Sequence, residues 1–168
     1  MNTITRWFTH LWLDAADARR RLTVPGLQRL EQAVRDSEAR HMGELRLCVE
    51  AGLSASALWH GVSSRDRAVT LFSQLRVWDT EHNNGVLIYL LLAERRIEIL
   101  ADRGLHARTS PEAWQDITLQ LSTALQAGRF EDGLTQAVQA VGEILRQHFP
   151  LQAGRPNLNE LPDAVVLI

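Results

Sequence analysis

Three segments of the chain carry the hydrophobic patterns of β-strands. Residues 44–50 alternate apolar and polar side chains, and this period of two predicts a first strand. Residues 85–93 form an unbroken apolar run, which favours a central strand covered on both faces. Residues 96–101 alternate again, and a tight turn near Glu94-Arg95 predicts a hairpin between the second and third strands. The sequence therefore predicts a small sheet of three strands.

Apolar residues at helical spacing predict helices before, between and after these strands. The clearest boundaries are those of the helix that begins at Ser110-Pro111 and ends before Gly128, because serine is a good N-cap and proline fits the first helical position. Helices around a small mixed sheet predict an α/β fold. The other helices predicted around the sheet cover residues 27–40, 54–60, a segment after Ser63-Ser64, and 132–148.

The connections between the strands predict which strand ends meet. A helical crossover joins parallel strands, so the first two strands should run the same way, and the hairpin makes the third antiparallel to the second. The segments that precede the first strand, precede the second and follow the third therefore meet at one edge of the sheet, here called the polar rim. Its polar residues are Glu38, His41 and Glu44, then residues 79–84, then Asp102, Arg103, His106 and Arg108.

Composition and charge exclude several classes of protein. The 168 residues are enough for one domain that needs neither disulfides nor a structural metal. All 18 basic residues are arginine, which excludes lysine Schiff-base chemistry and a P-loop. With 20 acidic residues the chain has no basic excess for nucleic-acid binding. No apolar stretch reaches the ~20 residues of a membrane helix and no signal-peptide pattern begins the chain, so we expect a cytoplasmic protein without a transmembrane segment.

The polar rim contains possible ligands for a divalent cation. Carboxylate and amide oxygens favour Ca²⁺ or Mg²⁺, whereas a histidine ligand shifts the preference toward Zn²⁺ or Mn²⁺. A purely structural role is the alternative, since asparagine before glycine is common where a chain turns sharply. The candidate metal ligands are Glu38, His41, Glu44, Asn84 and Asp102.

Catalysis by a side-chain nucleophile is not indicated, because the chain has no G-x-S-x-G elbow, P-loop or H-E-x-x-H motif. A hydrolase at the rim would have to use a metal-activated water, with a carboxylate as ligand, a histidine for proton transfer and an arginine facing a phosphate. Solvated surface charge is the alternative role for the arginines. The candidate catalytic residues are Asp79, His82, Asp102, Arg103 and His106.

The start of the chain has an apolar stripe at helical spacing, rich in tryptophan and followed by an arginine run. Such a stripe docks either onto the body of its own domain or onto a membrane surface or a partner protein. We divide the chain into an N-terminal amphipathic helix (residues 1–24), an α/β domain (25–150) and an extended tail (151–168). The candidate partner-binding residues are Trp7, Phe8, Leu11 and Trp12.

Several short motifs resemble the TPM domain family. The resemblance extends from about Leu27 to Pro150. A shorter, soluble bacterial branch of the family is similar to this chain in Glu38-x-x-His41-x-Gly43-Glu44 and in the tail Asn159-Glu160-Leu161-Pro162-Asp163. The motifs that carry the resemblance are Asn83-Asn84-Gly85-Val86-Leu87-Ile88, Arg95-Arg96-Ile97-Glu98-Ile99, Ala101-Asp102-Arg103-Gly104-Leu105, Gly128-Arg129-Phe130 and Gly133-Leu134.

The resemblance implies a three-layer α/β/α sandwich. The family includes bacterial envelope-associated proteins, accessory subunits of membrane receptors and a thylakoid-lumen protein of photosystem II repair with acid phosphatase activity, and some members bind Ca²⁺ or similar ions. The leading hypothesis is an accessory, protein-interaction domain with an ion-binding rim, acting at the inner face of a bacterial membrane. The alternative is a divalent-metal-dependent, acid phosphatase-like hydrolase.

Overall fold

A computed structural model of the protein describes His10 and residues 20–154 and 157–168. Four of its helices begin at a serine or threonine whose side chain accepts a hydrogen bond from the first turn, which is why those helices begin where they do. In chain order the elements are α1 (Val24–Glu38), β1 (Leu45–Glu50), α2 (Ala55–Trp59), α3 (Ser64–Gln74), β2 (Val86–Leu91), β3 (Arg96–Ala101), α4 (Arg103–His106), α5 (Pro111–Gln126), α6 (Phe130–His148) and β4 (Val166–Leu167).

The strands form one mixed sheet in the order β3-β2-β1-β4. β1 and β2 are parallel, with Leu45 opposite Val86, and β2 and β3 are antiparallel, with Val86 opposite Ala101. These directions confirm the prediction made from the crossover and the hairpin. The sheet has one strand more than predicted, because β4 pairs in parallel with β1, where Cys48 lies opposite Val166.

Helices cover both faces of the sheet. Leu47, Val49 and Ile88 belong to the core on one face, together with residues of α1, α5 and α6. Cys48 and Tyr89 belong to the core on the other face, together with residues of α2 and α3. The fold is therefore an α/β sandwich of three layers, as the family resemblance implied. β1 is buried along its whole length, although its alternating sequence is typical of a half-buried strand.

The polar residue Glu50 of β1 is buried because the second core supplies partners for it. The carboxylate of Glu50 accepts hydrogen bonds from Nε of Arg67 (2.9 Å) and from the hydroxyl of Tyr89 (2.7 Å). Burial raises the pKa of the Cys48 thiol to about 12, so this side chain stays protonated and unreactive at neutral pH. Glu50 thus belongs to an internal network, whereas Nε and Nη1 of Arg46 are buried without a hydrogen-bond partner.

Helix boundaries differ from the sequence prediction by two or three residues. α1 begins at Val24 rather than at Leu27, because Thr23 caps it and Pro25 fits its first turn. α6 begins at Phe130 rather than at Asp132. The short helix α4 was not predicted at all.

No helix among the described residues is long and apolar enough to span a membrane. His10 is buried at the edge of the sheet opposite the polar rim. Its Nδ1 accepts the backbone N–H of Leu53 (2.8 Å), and its Nε2 lies 3.0 Å from Oε1 of Glu94. The predicted partner-binding residues, Trp7, Phe8, Leu11 and Trp12, lie outside the described residues.

Candidate functional site: the polar rim

The structure brings the three polar segments together at one edge of the sheet. The backbone N–H of Val86 donates to the carbonyl of Glu44, and the N–H of Asp102 donates to the carbonyl of Gly85, each at 2.8 Å. The residues just before β1, just before β2 and just after β3 are therefore neighbours. The polar rim exists as strand direction predicts.

Glu38 is a buried carboxyl at the C-terminal end of α1. Its Oε1 accepts the backbone N–H of Leu45 at 2.9 Å, and the nearby side chain of Asp163 helps to raise its pKa. Burial raises the pKa of Glu38 to about 9, although the bond from Leu45 opposes the shift. At neutral pH the group is therefore protonated, and it fastens α1 to β1.

Glu44 ties the C-terminal tail to the rim. Its two carboxylate oxygens accept the backbone N–H groups of Glu160 and Leu161, each at 3.1 Å. Burial raises the pKa of Glu44 to about 6, and the two backbone bonds oppose the shift. The group is mostly ionised at neutral pH, and both oxygens are occupied by the chain itself.

His41 is completely buried, and both of its ring nitrogens have partners. Nε2 lies 3.0 Å from Oγ of Ser37, and Nδ1 lies 3.0 Å from the carbonyl of Gly43. Burial lowers the pKa of His41 to about 4, so the ring is neutral. α6 packs closely against this pair, because a Cβ built at Gly142 would lie 2.1 Å from Oγ of Ser37.

Asn84 and Asp102 each have one oxygen without a partner. Nδ2 of Asn84 donates to the carbonyl of Met42 at 2.7 Å, but its Oδ1 is buried with no hydrogen bond. Oδ1 of Asp102 accepts the N–H of Arg103 at 2.7 Å and caps α4, whereas its buried Oδ2 has no hydrogen bond. These two oxygens belong to adjacent segments. Over residues 20–154, 157–168 and His10, no three acidic, histidine or cysteine side chains are grouped so that they could hold a metal ion.

Two adjoining cavities lie along the rim, and both are lined by Met42, Glu81 and His82. We call them together the rim groove. Its larger part has a volume of about 420 Å³, and its smaller part about 110 Å³. The larger part is also lined by Arg108, which follows α4, by the end of α6 and by Gln152, and the smaller part by the tail. These further lining residues include Arg108, His148 and Phe149 in the larger part and Asn157, Leu158 and Glu160 in the smaller one.

One end of the rim groove is positively charged and aromatic. The guanidinium of Arg108 lies 5.0 Å from the centre of the Phe149 ring and donates to the carbonyl of His148 at 3.3 Å. At the other end, the carboxylate of Glu160 accepts the backbone N–H of Glu81 at 3.0 Å. The groove thus has a cationic end and an anionic end.

Comparison with known proteins identifies the family. The family model described as the TPM domain matches residues 16–144, which is most of the chain. The chain belongs to the TPM domain family. Its fold is similar to the NMR structure of the BA42 protein from the psychrophilic bacterium Bizionia argentinensis, with a TM-score of 0.76 and 26% sequence identity over 86% of this chain and 94% of that one. No curated protein sequence gives a significant match.

The candidate catalytic residues of this TPM domain are not assembled into one set. Only His82 lines the rim groove within the described part of the chain. Asp79 and His106 are exposed. Asp102 caps α4, and Arg103 is exposed, with its Nε donating to the side chain of Asn83 at 3.1 Å.

Sequence reasoning missed the outer walls of the rim groove. His148 and Phe149 reach the rim because the chain beyond α6 pairs with the segment before β1, where His41 and Pro150 form an isolated bridge. Asn157 reaches it because its Nδ2 donates to the carbonyls of Glu38 and His41, each at 3.0 Å. Neither contact has a local signal, since both join residues far apart in the chain.

Proposed function

We propose that this TPM domain is a non-catalytic accessory domain that binds a partner protein through the rim groove, at the cytoplasmic face of a bacterial membrane. The observation that carries the proposal is how the rim uses its ionisable side chains. Glu38, His41 and Glu44 are buried and hydrogen-bonded to neighbouring segments of the chain. They build a rigid rim and do not present reactive groups to a substrate.

The surface of the rim groove supports a binding role. Leu158 lines the groove and is 72% exposed, and Leu151, which lies between the lining residues Pro150 and Gln152 in the chain, is 48% exposed. Exposed leucines next to charged residues such as Glu81 and Arg108 are typical of a protein-interaction surface. A partner with an apolar side chain flanked by one acidic and one basic group would complement this groove.

The membrane location rests on the sequence of the first residues. Their tryptophan-rich stripe, with arginines after it, has the composition of a segment that adsorbs to a membrane surface or to a membrane-bound partner. In this proposal the stripe supplies attachment and the rim groove supplies partner specificity.

Recovery of partner protein from inner-membrane vesicles tests the groove. The full chain would be compared with Leu158→Asp, and with Leu119→Asp as a matched control, because Leu119 is 65% exposed on α5 and does not line the groove. We expect one membrane protein to be recovered by the full chain and by Leu119→Asp, and to be lost with Leu158→Asp. Equal recovery by the two variants would contradict the proposal.

Two further measurements test the remaining parts of the proposal. Flotation with liposomes should fall when residues 1–22 are deleted, and unchanged flotation would remove the membrane role of the stripe. Turnover of a phosphate monoester that disappears in His82→Gln would show that the rim groove is a reaction centre and would overturn the non-catalytic role.

A second candidate function is a cation-dependent hydrolase, and one observation favours it. Oδ1 of Asn84 and Oδ2 of Asp102 are buried oxygens without partners, and oxygen donors of this kind suit Ca²⁺ or Mg²⁺. The donor chemistry of these two residues suits such an ion, whereas Glu38, His41 and Glu44 are already engaged. The bound ion would supply an activated water, and His82 in the groove would hold or release a proton.

Thermal unfolding with added Ca²⁺, Mg²⁺, Mn²⁺ or Zn²⁺ tests the second candidate. An ion that binds the folded state raises the Tm, by an amount that grows with its concentration. The rise should disappear in Asp102→Asn and persist in Asp79→Asn, which removes the same charge from an exposed residue. If no ion raises the Tm of the unchanged protein, this candidate is excluded.

A further inference from the structure

A second cavity lies at the opposite edge of the sheet, where β2 ends and β3 begins. Its volume is about 350 Å³, within the range of small-molecule sites. We call it the apolar pocket. Among the described residues its apolar walls are Leu90, Leu92, Ile97, Leu125 and Phe130.

Two arginines also line the apolar pocket. The guanidinium carbon of Arg21 lies 5.0 Å from the centre of the Phe130 ring. Arg95 occupies the turn between β2 and β3, where its backbone φ is +51°. Within the described part of the chain neither arginine forms an ion pair. An arginine that stacks on a ring keeps its in-plane N–H donors free for an anion.

The acidic residues next to these positions in the sequence have partners elsewhere. Oε1 of Glu94 lies 3.0 Å from Nε2 of His10. The carboxylate of Glu131 forms a two-point ion pair with Arg29. Over the described residues no ion pair joins either carboxylate to Arg21 or Arg95, so the pocket combines an apolar interior with two arginines.

We infer that the apolar pocket binds a single-chain amphiphile with an anionic head, a carboxylate or a phosphate. The hydrocarbon chain contacts the leucines and Phe130, because burial of apolar surface drives binding to such walls. The head group accepts hydrogen bonds from Arg21 and Arg95, which suit the planar, two-oxygen geometry of these anions. This site lies at the other edge of the sheet from the rim groove and does not depend on the proposed function.

Calorimetric titration of the full chain with dodecanoate, below its micelle concentration, tests the inference. We expect one equivalent to bind, dodecyl phosphate to bind similarly, and dodecyl maltoside and acetate to bind far more weakly. Arg95→Gln should weaken binding of dodecanoate about tenfold, the effect of losing one charged hydrogen bond. Arg96→Gln is the matched control, because Arg96 is the next residue in the chain and does not line the pocket, so this variant should bind dodecanoate normally.

A filled pocket provides a second test that does not depend on charge. Ser122→Trp places a large side chain in the pocket and should abolish binding of dodecanoate. In NMR spectra the amide signals of Ser122 and Gly128 should shift on titration, whereas that of His82 in the rim groove should not.

Vesicles containing phosphatidylglycerol separate two sources of the head group. Vesicle binding that depends on Arg95 would show that the head group belongs to a bilayer lipid. If the protein does not bind the vesicles in this way, the ligand is a free amphiphile.

Three results would overturn the inference. Equal affinity for dodecyl maltoside and dodecanoate would show that the arginines do not select a head group. Equal weakening by Arg95→Gln and Arg96→Gln would reduce the effect to general surface charge. Amide shifts confined to the rim groove would place the ligand elsewhere.

Discussion

Replacement of Glu38 by glutamine should remove a pH dependence from the stability of the protein. Burial raises the pKa of Glu38 to about 9, so the folded state holds this proton more tightly than the unfolded state does. As the pH rises from the ordinary value of a carboxyl toward 9, the unfolded state ionises first and the free energy of unfolding falls. Glutamine resembles the protonated acid, since its oxygen can accept from Leu45 and its amino group can donate to Asp163.

The magnitude follows from proton linkage. One proton changes the free energy of unfolding by about 1.4 kcal/mol per pH unit between the two pKa values. Between pH 7 and pH 9 the slope flattens as Glu38 begins to ionise in the folded state, so the total loss is about 2 kcal/mol. The shifted pKa values of His41 and Glu44, about 4 and about 6, lie below this window.

Urea unfolding followed by tryptophan fluorescence between pH 7 and pH 9 measures the effect. Between pH 7 and pH 9 the free energy of unfolding of the unchanged protein should fall by about 2 kcal/mol more than that of Glu38→Gln. Glu112→Gln, an exposed replacement in the first turn of α5, is the control and should keep the pH dependence of the unchanged protein. Equal slopes for Glu38→Gln and the unchanged protein would refute the assignment of a protonated, buried Glu38.

Two further changes test how the rim is held together. Glu44→Ala removes the acceptor of two backbone N–H groups. The amide of Leu161 should therefore exchange faster in hydrogen-exchange NMR, and the free energy of unfolding should fall by about 2–3 kcal/mol. Unchanged exchange would mean that the tail is held by other contacts. Gly142→Ala forces a methyl group against Oγ of Ser37 and should cost about 1–3 kcal/mol in urea unfolding. Part of that loss should be recovered in the double variant with Ser37→Ala, and strictly additive losses would show that the two residues do not touch.

The existence of the polar rim could be predicted because it depends on strand direction alone. The helical crossover between β1 and β2 and the short hairpin to β3 each leave one direction open, so Glu44, Gly85 and Asp102 had to meet at one edge. The strands could be located because their hydrophobic patterns are local signals that need no distant partner. These signals are the apolar run around Val86–Leu91 and the alternation of Arg96–Ala101.

The use of the rim residues could not be predicted, because the same side chain serves as a metal ligand or as a structural acceptor. The carboxyl groups of Glu38 and Glu44 have the chemistry of metal ligands, but both accept backbone N–H groups instead. Those N–H groups come from β1 and from the tail. The tail itself escaped prediction as a strand, because the two residues of β4 are too few for a period. The tail residue Leu158 lines the rim groove only after the whole chain has folded.

Cross-linking from the rim groove tests the central claim most directly. A photoreactive amino acid placed at Leu158 in the full chain would be compared with one placed at Leu119, which is also largely exposed but does not line the groove. The account predicts that, in cells, the probe at Leu158 forms one discrete cross-link to a membrane-associated protein and that the probe at Leu119 forms none. If both positions give the same products, or if Leu158 gives none, the rim groove is not the surface through which this domain acts.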